Sequence, residues 1–356
     1  MNSGRVRCWT AAELGRFLIA PDAGEQLSPI DGPGVLVLDL AASSSAQANA
    51  WRGALLEQLP VLPCVTIAIE GDATQDSLRA LERACDVVLR DPAELDPLLA
   101  GFEKTPISAL AFVQLLRTAP SASAYAGLVA ESFVYSTLQS GTEFRAWLAA
   151  RPRQPPEAPS DPGPACRLER DRGRLEVSFA RPTRHNAFSR AMRDAFVEAL
   201  QLALADPSIE EVVLRGDGDS FCSGGDLDEF GSFSNPAEAH AIRTTRSPAL
   251  LITRLAGRIR AELHGACLGA GIELPAFTDR VVATEDAYFQ LPEVGLGLVP
   301  GAGGTVSLPR RIGRQKTAWL GLSGSRIDVQ TALVWGLVDE VRLGQHVERQ
   351  RQMKSD

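Results

Sequence analysis

The residues Phe221-Cys222-Ser223-Gly224-Gly225-Asp226, then Gly269-Ala270-Gly271-Ile272-Glu273, then Leu291-Pro292-Glu293 decide how this chain is read. Each of the first two stretches is a small-residue turn that can aim a backbone N–H at one oxygen. Two carboxylates follow, with Glu293 twenty positions after Glu273. Preorganised amides stabilise developing oxyanions, and paired carboxylates move protons. The combination points to an enzyme that polarises a carbonyl and works on the carbon chain beside it.

The sequence around these turns alternates strand and helix signals. Residues 174–180 alternate like a strand. Residues 189–205 carry apolar side chains at helical spacing, with Ser189 placed as an N-cap. The runs 212–214, Ile259–Leu263 and Arg280–Thr284 read as further strands. Short strands alternating with helices imply βαβ units and mainly parallel pairing. Ligands collect beyond the carboxyl ends of such strands. The two glycine-rich turns follow Leu214 and Leu263, so they lie where a ligand would.

Taken singly, Gly224, Gly225, Gly269 and Gly271 are ordinary turn residues. Their joint position, each turn after a strand and the second followed by an acid, is what argues for a site. Glu273 falls in the first turn of a helix opening near Gly269, where acids complement the helix dipole. Glu293 falls in a loop. Two like charges in one apolar pocket raise one pKa and divide the acid and base roles. His185 and His264 are expected to make local hydrogen bonds. Cys222 and Cys267 are expected to be small packing residues, because no basic neighbour in sequence would activate them.

Composition narrows the class. The chain has 356 residues, 45% of them hydrophobic, and a net charge of −8. That length allows roughly two domains of about 150 residues. The acidic balance argues against a general nucleic-acid binder. Six cysteines without metal-ligand spacing and four scattered histidines argue against a zinc site. No signal-peptide pattern or long apolar run is evident, so a cytoplasmic protein without a membrane partner is expected. Proline-rich residues 151–164 read as a linker. They separate an N-terminal part, 1–150, from a core, 165–345, and a polar tail, 346–356.

From about Leu175 to Val341 the chain resembles the crotonase superfamily, the enoyl-CoA hydratase/isomerase family. The resemblance is carried by ARPTRHNAFS, VVLRGDGDSFCSGGDLDEF, the run from AELHGACLGAGIELP to GGTVSLPRRIG, and ALVWGLVDEV. It implies an α/β fold with a crotonase-type ββα spiral core. It implies an oxyanion hole from the N–H groups of Gly225 and Ala270, with Glu273 and Glu293 matching both catalytic glutamates of the hydratases. Arg184, His185, Ala187, Ser223, Asp226 and Leu227 would line coenzyme A, largely through backbone atoms. The implied substrate and partner is an acyl-CoA thioester, with no further cofactor. Hydration of a 2-enoyl-CoA, or its reverse, is the first expectation. Double-bond isomerisation, another acyl-CoA lyase or hydrolase reaction, and a noncatalytic acyl-CoA-binding subunit are the alternatives. A homo-oligomer, trimer or hexamer, is the implied assembly.

The chain departs from the family at its end. Relatives continue for several helices after the GLVDEV region, whereas here about fifteen residues remain. Residues 131–151 look like the usual C-terminal helical segment, and residues 105–117 like the helix before it. Further upstream, residues 34–40, 59–71 and 85–91 echo the strands of the core. The expectation is a degenerate crotonase-like α/β N-terminal domain whose final helices, 102–150, are displaced from the usual C-terminus. They should pack on a crotonase-type sheet, in this chain or a neighbour's, and supply no catalytic acid. Residues 229–254, with Phe230, Phe233, His240 and Arg243, are expected to shape the acyl pocket.

Overall fold

In the computed structural model, residues 6–72, 75–119, 122–151, 163–232 and 235–343 are described. Most of the linker (152–162), Phe233 and the polar tail lie outside them.

The N-terminal half opens with β1 (Cys8–Trp9), α1 (Ala11–Phe17), α2 (Ala23–Leu27), β2 (Val35–Asp39) and α3 (Ser45–Gln58). β3 (Val65–Ile69), α4 (Asp76–Ala84), β4 (Val87–Leu89) and α5 (Leu95–Phe102) follow. The strands form one parallel sheet in the order β1-β2-β3-β4. Three of them fall within the runs read as strands from sequence. β1 was not foreseen, because two residues carry no periodicity. Side chains alternate across a strand, and β2 uses both faces. Leu36 and Leu38 join one apolar cluster with Leu14, Leu55 and Leu81. Val35 and Val37 join the other, which continues without a break through Phe112, Phe179, Leu263 and Phe289. The two halves therefore share one hydrophobic core.

Three helices complete the N-terminal half: α6 (Pro106–Thr118), α7 (Ala124–Gln139) and α8 (Thr142–Ala150). Residues 131–151 are thus two helices, broken at Ser140-Gly141, where the N–H of Gly141 turns back to Leu138 O.

The second half begins with β5 (Cys166–Asp171), β6 (Arg174–Phe179), α9 (Arg190–Ala205) and β7 (Glu211–Gly216). It continues through α10 (Pro236–Thr245), α11 (Pro248–Arg254), β8 (Ile259–Leu263), β9 (Ala266–Leu268) and α12 (Ala270–Glu273). β10 (Arg280–Thr284), β11 (Tyr288–Gln290), α13 (Gly304–Ile312) and α14 (Arg314–Ser323) follow. β12 (Ile327–Asp328), α15 (Val329–Trp335) and β13 (Glu340–Arg342) end it. The main sheet runs β13-β10-β8-β7-β6-β5, parallel except for the β5–β6 hairpin. A small sheet, β12-β11-β9, stands beside it. Each chain segment that leaves β8 or β10 forms a short strand in the small sheet, which is the ββα repeat expected of the spiral core.

The upstream helices pack on this core within the same chain. α7 lies against α10, α11 and α13, while α6 lies against α13 and α14. A buried ionic knot reinforces the contact. Asp86, just before β4, takes Arg117 of α6 at 2.6 Å and Arg314 of α14 at 3.0 Å, and also accepts from Thr66. Buried charge is tolerable only when paired and hydrogen-bonded in this way.

Candidate active site

The entry loop to α9 is folded by one buried amide. Asn186 donates to the carbonyls of Asp217 and Ser220, both at 2.8 Å, and accepts from Arg181 N–H. His185 and Asn186 both adopt left-handed backbone angles, which Asn tolerates better than most residues. This brings residues 184–188 alongside 223–226. Ser223 N–H donates to His185 O, Phe188 N–H to Gly224 O, and Asp226 N–H to Phe188 O. The six residues read as coenzyme A contacts are therefore neighbours in space. Arg184, His185, Ala187, Ser223 and Leu227 lie outside the lining of the cavity that Gly225 and Ala270 share, while Asp226 lines it. The Asp226 carboxylate is taken up by Arg181 at 3.0 Å and Arg184 at 3.3 Å. It is part of the scaffold, and a ligand there would meet backbone atoms.

The two glycine turns meet. Gly224 has φ 92° and Gly269 φ 48°, angles that L side chains rarely adopt. A Cβ on Gly269 would lie 3.5 Å from Gly224 Cα and 2.3 Å from Glu293 Oε1. Both turns and the second acid thus share one spot. Gly225 and Ala270 both line the cavity. Among the described residues, neither of their amides is used in a hydrogen bond. Ala270 opens α12, and helix N-termini leave such donors free.

Glu273 and Glu293 are both buried and both line the same cavity. Their surroundings differ. One oxygen of Glu273 accepts from Ala302 N–H at 2.7 Å and Gly304 N–H at 2.9 Å. Burial raises its pKa to about 7, against the pull of those two amides. Glu293 has a buried oxygen with no partner among the described residues. Burial pushes its pKa well up, and the charge of Glu273 pushes it further. Donors favour an ionised carboxyl, so the negative charge belongs on Glu273 and the proton on Glu293.

A third carboxyl sits here. Glu131 of α7 is buried, accepting from Gly303 N–H at 2.7 Å, Thr305 N–H at 2.9 Å and the Thr305 hydroxyl at 2.7 Å. Alternate amides at the start of α13 are thus divided between Glu273 and Glu131, one acid from each half of the chain. Burial and the Glu273 charge raise the pKa of Glu131, while its three donors lower it. The upstream helices, expected to supply no catalytic acid, thus bring a buried carboxyl beside Glu273 that is engaged in holding the start of α13. The sequence does hold a signal, since Glu131 is a lone charge within the apolar run Leu128-Val129-Ala130 to Phe133-Val134.

The remaining candidates behave as expected. His264 bonds Gly218 O at 2.8 Å, and His185 faces Ser220 Oγ at 3.4 Å. Cys222 and Cys267 are buried, and burial raises both thiols, Cys222 to about 12. Among the described residues no helix is long and apolar enough to cross a membrane.

Residues 169–353, just over half of the chain, match the family described as enoyl-CoA hydratase/isomerase. The chain belongs to that family. It is 36% identical over 168 residues to the 2,3-dehydroadipyl-CoA hydratase of Escherichia coli K12, covering 47% of this chain and 65% of that protein. It is 37% identical over 158 residues to the peroxisomal bifunctional enzyme of Danio rerio, covering 44% of this chain and 21% of that one. The match thus spans less than two thirds of the length of either relative. A solved structure of an enoyl-CoA hydratase from Mycobacterium smegmatis superposes with a TM-score of 0.48 at 32% identity, over 54% of this chain and 75% of that one.

Proposed function

We propose that the protein adds water to the double bond of a 2-enoyl-CoA, or runs the reverse dehydration. The observation that carries this is the pairing in one cavity of two unengaged amides with two differently held carboxyls. The thioester oxygen would sit between the N–H groups of Gly225 and Ala270. Water attacks C3, and Glu273, held ionised by Ala302 and Gly304, takes its proton. The electron pair of the double bond moves toward the thioester, and negative charge gathers on its oxygen. The two amides bind this enolate-like state better than the ground state, which is what lowers the barrier. Glu293 then delivers its proton to C2. The net change is one water added, and a proton passing from Glu273 to Glu293 restores the pair.

Coenzyme A itself would run along residues 184–188 and 223–227, meeting backbone atoms there. Glu131 takes no part in a bond change in this scheme. It holds the start of α13, and with it the amides that orient Glu273.

The test is product analysis. Incubation with trans-2-enoyl-CoA esters should give 3-hydroxyacyl-CoA, with loss of the conjugated absorbance. Recovery of only a shifted double bond would replace hydration by isomerisation. Release of free coenzyme A would indicate a hydrolase, and no conversion of any ester would favour the noncatalytic alternative.

A further inference from the structure

The same cavity is also lined by arginines of α9 and α10 and by the arginine that follows α10. Two of them pair with acids. Arg193 pairs with Asp194 at 2.8 Å, and Arg246 pairs with Asp194 and Glu198 at 3.1 and 3.2 Å. Arg243 is different. Its Nε donates to Ser132 Oγ at 3.2 Å, and its Nη2 to Ser132 O at 3.3 Å and to Ser136 Oγ. Its guanidinium lies over the Tyr135 ring, 4.6 Å from the centroid. Among the described residues it has no carboxylate within ion-pair distance, and Nη1 donates to none of them. The acid whose field reaches it, Glu131, is already engaged by three donors.

A cation moved out of water without a counter-charge is costly. Burial indeed presses on the charged form of Arg243, and Arg193 adds like-charge repulsion. Hydroxyls and a carbonyl soften this but carry no net charge. An alkyl chain filling the cavity would strip the remaining water from the guanidinium and offer nothing in return. A carboxylate at the end of the chain would supply the missing charge. The free edge of a guanidinium matches a carboxylate with two parallel hydrogen bonds. Ser132 is itself held by His240 at 2.9 Å, so the cation is presented on a fixed support.

We infer that the acyl group accepted by this cavity carries a second, terminal carboxylate, which Arg243 binds. The substrate class is then the CoA monoester of a dicarboxylic acid. This rests on the acyl-CoA part of the function proposed above and does not depend on the reaction.

The experiment uses saturated esters, which cannot be hydrated. Affinities of the protein for adipoyl-CoA against hexanoyl-CoA are measured by calorimetry, with glutaryl-CoA against pentanoyl-CoA and pimeloyl-CoA against heptanoyl-CoA to allow for reach. These pairs differ only in the terminal group. At least one diacid ester should bind about tenfold or more tighter than its monoacid match, the order expected of a charge-assisted pair. Arg243→Gln, which keeps a donor toward Ser132, should bring that ratio to near one, and Arg243→Lys should keep part of it. Equal affinities in the wild type, or a ratio unchanged in Arg243→Gln, would overturn the inference. So would free coenzyme A losing as much affinity as the diacid ester, because Arg243 would then be serving a phosphate. Absence of binding by every ester would remove the acyl-CoA reading and this inference together. A clear ratio without turnover of any enoyl ester would leave the inference standing and refute the reaction.

Discussion

Replacing Glu131 tests whether the upstream helices complete the site or merely cover it. Glu131→Ala leaves two buried amides, Gly303 and Thr305, and one hydroxyl without their acceptor. The hydroxyl can turn to another oxygen, but the amides cannot. An unsatisfied buried donor costs about 1–3 kcal/mol, so the two together cost about 2–6 kcal/mol of stability. Glu131→Gln is milder. Its carbonyl can keep both Thr305 bonds, while its NH2 faces the Gly303 N–H, for a loss of about 1–3 kcal/mol. Chemistry suffers separately. The Ala302 and Gly304 amides that hold Glu273 lie in the same short stretch, and a shift of about 1 Å in such a group can cost a hundredfold in rate. Both variants should therefore lower kcat for hydration, Glu131→Gln by about ten- to a hundredfold, with little change in KM. The pH profile carries a signature that loss of stability alone would not give. The Glu131 charge helps raise the pKa of Glu293. Removing it lets Glu293 lose its proton at lower pH, so the alkaline limb of activity moves to lower pH. The assay is steady-state hydration across pH on protein whose melting has been measured. A Glu131→Ala protein that melts at the wild-type temperature and turns over at the wild-type rate would refute the reasoning.

Other expectations follow from the same geometry. Gly225→Pro removes the N–H and should cost on the order of a hundredfold in rate in a folded protein. Gly225→Ala keeps the N–H, but its Cβ would lie 2.9 Å from the Phe230 ring, which packs on Phe144 and Trp147. It should also lose activity, and a fully active variant would show that the ring yields freely. Glu293→Gln should raise the melting temperature at pH 8 and much less at pH 5. The folded state raises the pKa of this acid, so its contribution to stability is full below the unfolded value and is lost as pH rises. An equal gain at both pH values would contradict that sign. Residues 165–356 expressed alone should be insoluble or inactive, because they lose Glu131, the Asp86 knot and the shared core. A soluble, active fragment would make the N-terminal half an appendage.

The legible part of this protein was local. Ile259–Leu263 and Arg280–Thr284 could be read to the residue, because each run stops at a polar residue, His264 or Glu285. The Ser189 cap and α9 were equally plain, since the side chain bonds Met192 N–H as the pattern implies. The glycine turns and both acids were found because neighbouring residues carry them. The three-residue strands β9 and β11 were missed, being too short for any period to show. Glu131 and Arg243 were harder for another reason. One stands 142 positions before Glu273, and nothing local says that α7 will cap α13. The other was expected at the acyl pocket and does line the cavity, but that Arg193 and Arg246 have acids and Arg243 has none among the described residues shows only in three dimensions.

The central claim is that Glu273 and Glu293 share one act of water addition beneath the amides of Gly225 and Ala270. The most direct measurement is single-turnover hydration of a trans-2-enoyl-CoA by wild type, Glu273→Gln and Glu293→Gln, with coenzyme A affinity determined alongside. The account predicts that each variant loses hydration by about a hundredfold or more while binding coenzyme A nearly as before, since general acid and base steps typically supply that much. Hydration at the wild-type rate by either variant would contradict it.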